Sequence, residues 1–80
     1  MHPVIRLLSR NVRRLRLERG VTPEQLATEA KISLYVLGRI ETGKSNPGID
    51  VVFRLARALG VHPADLFISG PLQKALRRPR

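Results

Sequence analysis

The 80-residue sequence has no cysteine, which excludes disulfide staples and thiolate metal sites and leaves the redox compartment open. No apolar run approaches the roughly 18–20 residues that a membrane-spanning helix needs. The opening "MHPVIRLLSR" is too short and too interrupted by arginine to be a secretory leader. There is no glycine-rich phosphate loop, no internal repeat and no low-complexity segment. His2 and His62 lie far apart in the chain, and no His/carboxylate cluster has metal-ligand spacing. No metal, cofactor, small-molecule ligand or enzymatic activity is therefore expected. A chain this short buries only about 60% of its unfolded surface, enough for one small domain but not for a deep substrate cleft. Acid is also scarce: 15 Lys+Arg stand against 6 Asp+Glu, for a net charge of +9.

The placement of that charge is more informative than its size. Residues 1–20 carry six arginines against Glu18, net +5, and residues 69–80 carry Lys74, Arg77, Arg78 and Arg80 with no acid, net +4. Between them, residues 21–68 hold five basic and five acidic residues, net zero. The excess thus sits at the two ends. It favours a polyanionic partner, nucleic acid before an anionic membrane or an acidic protein, with plain solubility as the alternative.

Glycine and proline cut the chain into short pieces whose apolar spacing is helical. Over residues 4–19, Ile5, Leu8, Val12 and Leu15 share one face, while Arg6, Arg10, Arg13 and Arg14 share the opposite face; Gly20 ends the helix. Thr22, Pro23 and Gln25 form a capping box that starts a second helix, "PEQLATEA", with Leu26, Ala27 and Ala30 inward. Ser33 caps a third helix over 34–42, stopped at Gly43. A fourth runs over about 49–59 with Ile49, Val52, Leu55, Ala56 and Leu59 inward, ending at Gly60. "HPADLF" supplies a last turn closing the core with Leu66 and Phe67. The expectation is an all-α bundle of five helices over residues 1–68, followed by a mobile basic tail, 69–80, with a frayed turn near Leu72–Leu76.

The third helix breaks two rules. Leu34 and Tyr35 face outward, and Gly38 sits mid-helix, where glycine costs about 1 kcal/mol relative to alanine. Together with the helix before it, however, this segment has the size and spacing of a helix-turn-helix, whose second helix enters the DNA major groove by its N-terminal end. The corner requires a small residue where the helices cross, met by Ala27, and apolar anchors, met by Leu26, Leu37 and Ile40. A groove only about 12 Å wide requires a short helix.

Over about residues 8–68 the sequence resembles the phage-repressor and Cro-type (Xre) helix-turn-helix family. The resemblance rests on "RLERGVT" at 16–22, "LA" at 26–27, "IETGK" at 40–44, Pro47, "LARALGV" at 55–61 and "DLF" at 65–67. It implies a lambda-repressor-like fold and a role for each matching residue. Arg16 and Glu41 match a charged pair that ties the first helix to the end of the reading helix. Leu34, Tyr35 and Arg39 match base-facing positions, and an arginine there can bond guanine O6 and N7 together. Lys44, Ser45 and Asn46 match a loop that grips phosphate. Thr22 and Ser33 match positions that serve as caps, phosphate donors or both. Arg13 and Arg14 either approach phosphates or belong to a solvated face. Three departures stand out: Pro23 where the family has a phosphate-bonding glutamine, Lys31 where it has a turn glycine, and Gly48 where serine caps the fourth helix.

The resemblance implies a cytoplasmic transcriptional regulator of bacterial or phage origin, associated with the nucleoid when bound. Its partner would be double-stranded DNA, bound as a homodimer. Phe53, Phe67, Ile68 and Leu72 offer more apolar surface than one small core uses and are the expected dimer surface. Two other readings use the same sequence: an antitoxin or bridging module whose main partner is a toxin or other protein, and a non-specific basic nucleic-acid binder.

Overall fold

Every helix but the one that follows Gly48 begins where the sequence supplies a side-chain cap, and most end where it supplies a left-handed residue. The computed structural model describes residues 2–69 and places α1 over Pro3–Arg19, α2 over Pro23–Ala30, α3 over Leu34–Glu41 and α4 over Ile49–Leu59, followed by a 3₁₀ helix over Pro63–Phe67. There is no strand among the described residues, and none of their helices is long and apolar enough to cross a membrane. The five expected helices are therefore four α-helices and one tighter turn. "HPADLF" is too short to repay α-helix nucleation, so its chain winds with i→i+3 bonds instead. The basic tail, its expected turn near Leu72–Leu76, and Leu72 lie outside the described residues.

The two His-Pro dipeptides act alike. His2 Nδ1 accepts from the Val4 amide at 3.1 Å, and His62 Nδ1 accepts from the Ala64 amide at 3.0 Å. Pro3 and Pro63 each take the first helical position, where no amide donor is missed. This cap starts α1 at Pro3, one residue before the apolar periodicity does. Thr22 and Gln25 form the reciprocal box, at 3.1 Å to the Gln25 amide and 2.8 Å from the Thr22 amide. Gly20 and Gly60 close α1 and α4 at φ 69° and 71°. Lys31 adopts the same left-handed conformation at φ 58° without glycine's freedom, a strained choice for a side chain with a Cβ. Its carbonyl accepts from Arg54 Nη1 at 3.0 Å, which fastens the end of α2 to α4.

The core is built by Leu8, Val12 and Leu15 from α1, Leu26, Ala27 and Ala30 from α2, Leu37 and Ile40 from α3, Val52, Leu55, Ala56 and Leu59 from α4, and Leu66. Ile49 departs from the expectation: it is 73% exposed. It is the first residue of α4, and helical side chains lean toward the N-terminus, so it overhangs the end of the core. Asn11, buried on α1, donates to the carbonyls of Leu66 at 2.9 Å and Ile68 at 2.8 Å, pinning the closing turn.

Candidate nucleic-acid interface

The corner between α2 and α3 is short and internally bonded. The Ile32 amide reaches back to the Ala27 carbonyl at 3.0 Å, and Ser33 Oγ then accepts from the Val36 amide at 3.0 Å to start α3. Leu37 and Ile40 are buried, which forces the opposite face of this eight-residue helix into solvent. On that face lie Leu34, 47% exposed, Tyr35, 73% exposed, and the exposed Gly38 and Arg39. A Cβ placed on Gly38 would meet nothing within 4 Å, so no packing inside the domain requires glycine there.

The other end of α3 is tied down. Arg16 Nε donates to Glu41 Oε2 at 2.8 Å and Nη2 to Oε1 at 3.1 Å, a bidentate pair with both side chains nearly buried. Arg16 Nη1 also donates to the Val21 carbonyl at 3.1 Å. The hydrogen bond to Glu41 raises the Arg16 pKa above its ordinary value, against the desolvation that opposes it. Ser9 Oγ donates to the Glu41 backbone carbonyl at 2.6 Å, satisfying an acceptor that the helix end leaves open. Neither Ser9 nor Asn11 stands out in the linear sequence as a contact residue. The available signal is their place on the wheel of α1, flanking the Leu8–Val12–Leu15 stripe rather than opposing it.

Arg39 and the following loop are joined. The Arg39 guanidinium lies 5.9 Å from the centre of the Tyr35 ring and donates to the Lys44 carbonyl. The Lys44 amide donates to the Arg39 carbonyl at 2.8 Å, and Thr42 Oγ1 donates to the Gly38 carbonyl at 2.8 Å. Gly43 supports this turn at φ 72°, and α3 itself ends at Glu41, one residue short of the expected 42. Lys44 and Asn46 are exposed, with Ser45 half-buried between them. The Thr22 and Ser33 hydroxyls each accept a capping bond and keep their O–H free to donate outward.

Arg13 and Arg14 share the outward face of α1 with Arg10 and Leu17 but lie on its two flanks. Arg13 is exposed, one helical turn from both Ser9 and Arg16, on the flank that packs against the tied end of α3. Arg14 donates to Glu18 Oε2 at 2.7 Å and to Asn11 Oδ1 at 3.3 Å, on the flank beside the closing turn. Phe53 is 56% exposed, and Phe67, expected to close the core beside Leu66, is 37% exposed instead, because the 3₁₀ turn brings only Leu66 inward; Ile68 is half-buried. Phe53 lines a shallow depression with Ala56, Val61 and Pro63. Among the described residues, no group of three or more His, Cys, Asp or Glu side chains is arranged to hold a metal ion.

Comparison with known proteins places this geometry in context. The family model HTH_3, described as helix-turn-helix, matches residues 12–66. The chain is 36% identical over 61 residues to the uncharacterized HTH-type transcriptional regulator y4dJ of Sinorhizobium fredii, covering 76% of this chain and 79% of that one. It is 38% identical over 64 residues to the control protein C.BamHI of Bacillus amyloliquefaciens, covering 78% and 79%. The crystal structure of the restriction-modification controller protein C.AhdI from Aeromonas hydrophila superposes with a TM-score of 0.79 at 27% identity, covering 82% of this chain and 100% of that one.

Proposed function

The chain belongs to the HTH_3 helix-turn-helix family, and from that premise we propose that it is a sequence-specific, DNA-binding transcriptional regulator reading its operator with α3. The observation that carries this reading is the asymmetry of α3. Its outward face offers Leu34, Tyr35 and Arg39, while Leu37, Ile40 and Glu41 are held by the rest of the domain. A short helix with an outward apolar and cationic face fits a major groove, where Arg39 meets guanine and Leu34 a thymine methyl. Tyr35 meets a base edge or, through its hydroxyl, a phosphate.

Lys44, Ser45 and Asn46, with the free hydroxyl protons of Thr22 and Ser33, supply phosphate contacts that set the register of the helix. Arg13, on the α3 flank of α1, adds to them more readily than Arg14, which Glu18 and Asn11 occupy. The Arg16–Glu41 pair fixes the angle at which α3 leaves the domain. Residues 1–68 act as the DNA-binding unit, with residues 69–80 as a basic appendage in the cytoplasm. A homodimer joined through Phe53, Phe67 and Ile68 would present two α3 helices to half-sites about one helical turn apart.

Selection from a random duplex pool tests the reading. The expected result is an enriched, two-fold symmetric motif that survives excess competitor DNA. Recovery of no motif would refute sequence-specific reading and leave a non-specific basic protein.

A further inference from the structure

We propose that Arg39 is a positioning residue for the phosphate-gripping loop as well as a base reader, so that one side chain couples the two modes of contact. This inference rests on the DNA-reading role of α3 given above. Residues 39 and 44 exchange bonds in both directions: the Lys44 amide donates to the Arg39 carbonyl at 2.8 Å, and the Arg39 guanidinium donates to the Lys44 carbonyl. The second bond is unusual in its economy. A carbonyl in an exposed loop normally turns to water, whereas here a side chain from the reading face holds the one of Lys44. Tyr35 lies near the same guanidinium, with Cζ 5.9 Å from the ring centre, within reach of a cation–π contact.

The arrangement constrains an otherwise free side chain. An exposed arginine would sample many rotamers, and ordering it on DNA would cost side-chain entropy. Tyr35 and the Lys44 carbonyl limit that sampling before DNA arrives. A guanidinium has five N–H donors in a planar fork, so a bond to Lys44 leaves others for a base edge. The same bond fixes the peptide between Lys44 and Ser45, and hence the direction of the side chains on either side of it. Moving Arg39 therefore moves the loop.

Two measurements test this, neither requiring a known operator. In the free protein, Arg39→Met should speed hydrogen exchange at the Lys44 amide several-fold while leaving the Leu37 and Ile40 amides unchanged. On a duplex of arbitrary sequence, each lost phosphate contact lowers the log–log salt slope by about 0.9. Lys44→Ala should lower it by about that amount, Arg39→Met by about the same amount through the loosened loop, and the double variant by no more than either single variant. Unchanged exchange at Lys44, or a double variant whose slope loss equals the sum of the single losses, would overturn the coupling. A wild-type slope for Lys44→Ala would instead refute the phosphate role of the loop, and exchange at Lys44, read without DNA, separates that failure from failure of the 39–44 clasp.

Discussion

The two ends of α3 differ in almost every physical respect although the helix is only eight residues long. The C-terminal end has Ile40 in the core, the Glu41 carboxylate held by Nε and Nη2 of Arg16, and the Glu41 carbonyl capped by Ser9. The N-terminal end has a single side-chain cap from Ser33 and two apolar side chains in solvent. One end is defined by what the protein does with it, the other by what the protein leaves undone. Anchoring and reading are thus separated along one short helix, so substitutions at the two ends should act on different observables.

Ile40→Ala should have the largest effect, a loss of about 4 kcal/mol from the lost burial and the cavity left behind. In a domain of this size that is a large share of the total stability, and chemical denaturation followed by circular dichroism would show it. Arg16→Met strands the Glu41 carboxylate in a nearly buried site and should cost about 3 kcal/mol. Adding Glu41→Leu to it should recover most of that loss, since an apolar pair has no charge to desolvate. If the double variant is no more stable than the single, the pair itself, rather than the stranded charge, is what matters.

Gly38→Ala acts in the opposite direction. It should stabilise the free domain by up to about 1 kcal/mol, since alanine is the better helix former and the added Cβ meets nothing within 4 Å. The same variant should bind DNA more weakly if the opening at residue 38 admits the backbone of the duplex. Binding equal to the wild type would show that this opening has no part in docking.

Legibility from sequence followed the range of the interaction. The capping box at Thr22 and Gln25, the stops at Gly20 and Gly60, and the core stripes of α1 and α2 depend on residues three or four apart, and local spacing reveals them. Ile49 departs from its periodicity because that pattern assigns a face but not the end of the core, which depends on what packs beyond the first turn. Ser9 and Asn11 carry no local signal because their partners, Glu41 and Leu66 with Ile68, are 32, 55 and 57 residues away. The Arg16–Glu41 pair, 25 residues apart, was reached through family resemblance and not through spacing. The bond between Arg39 and the Lys44 carbonyl had no sequence signature, because it depends on the path of the loop around Gly43.

If the outward face of α3 reads bases, the preferred sequence of the protein depends on Arg39. The most direct measurement compares motifs selected from a random duplex pool by the wild type and by Arg39→Ala. The variant, folded and with the wild-type circular dichroism, should lose preference for guanine at one position in each half-site. Identical motifs from the two proteins would contradict it.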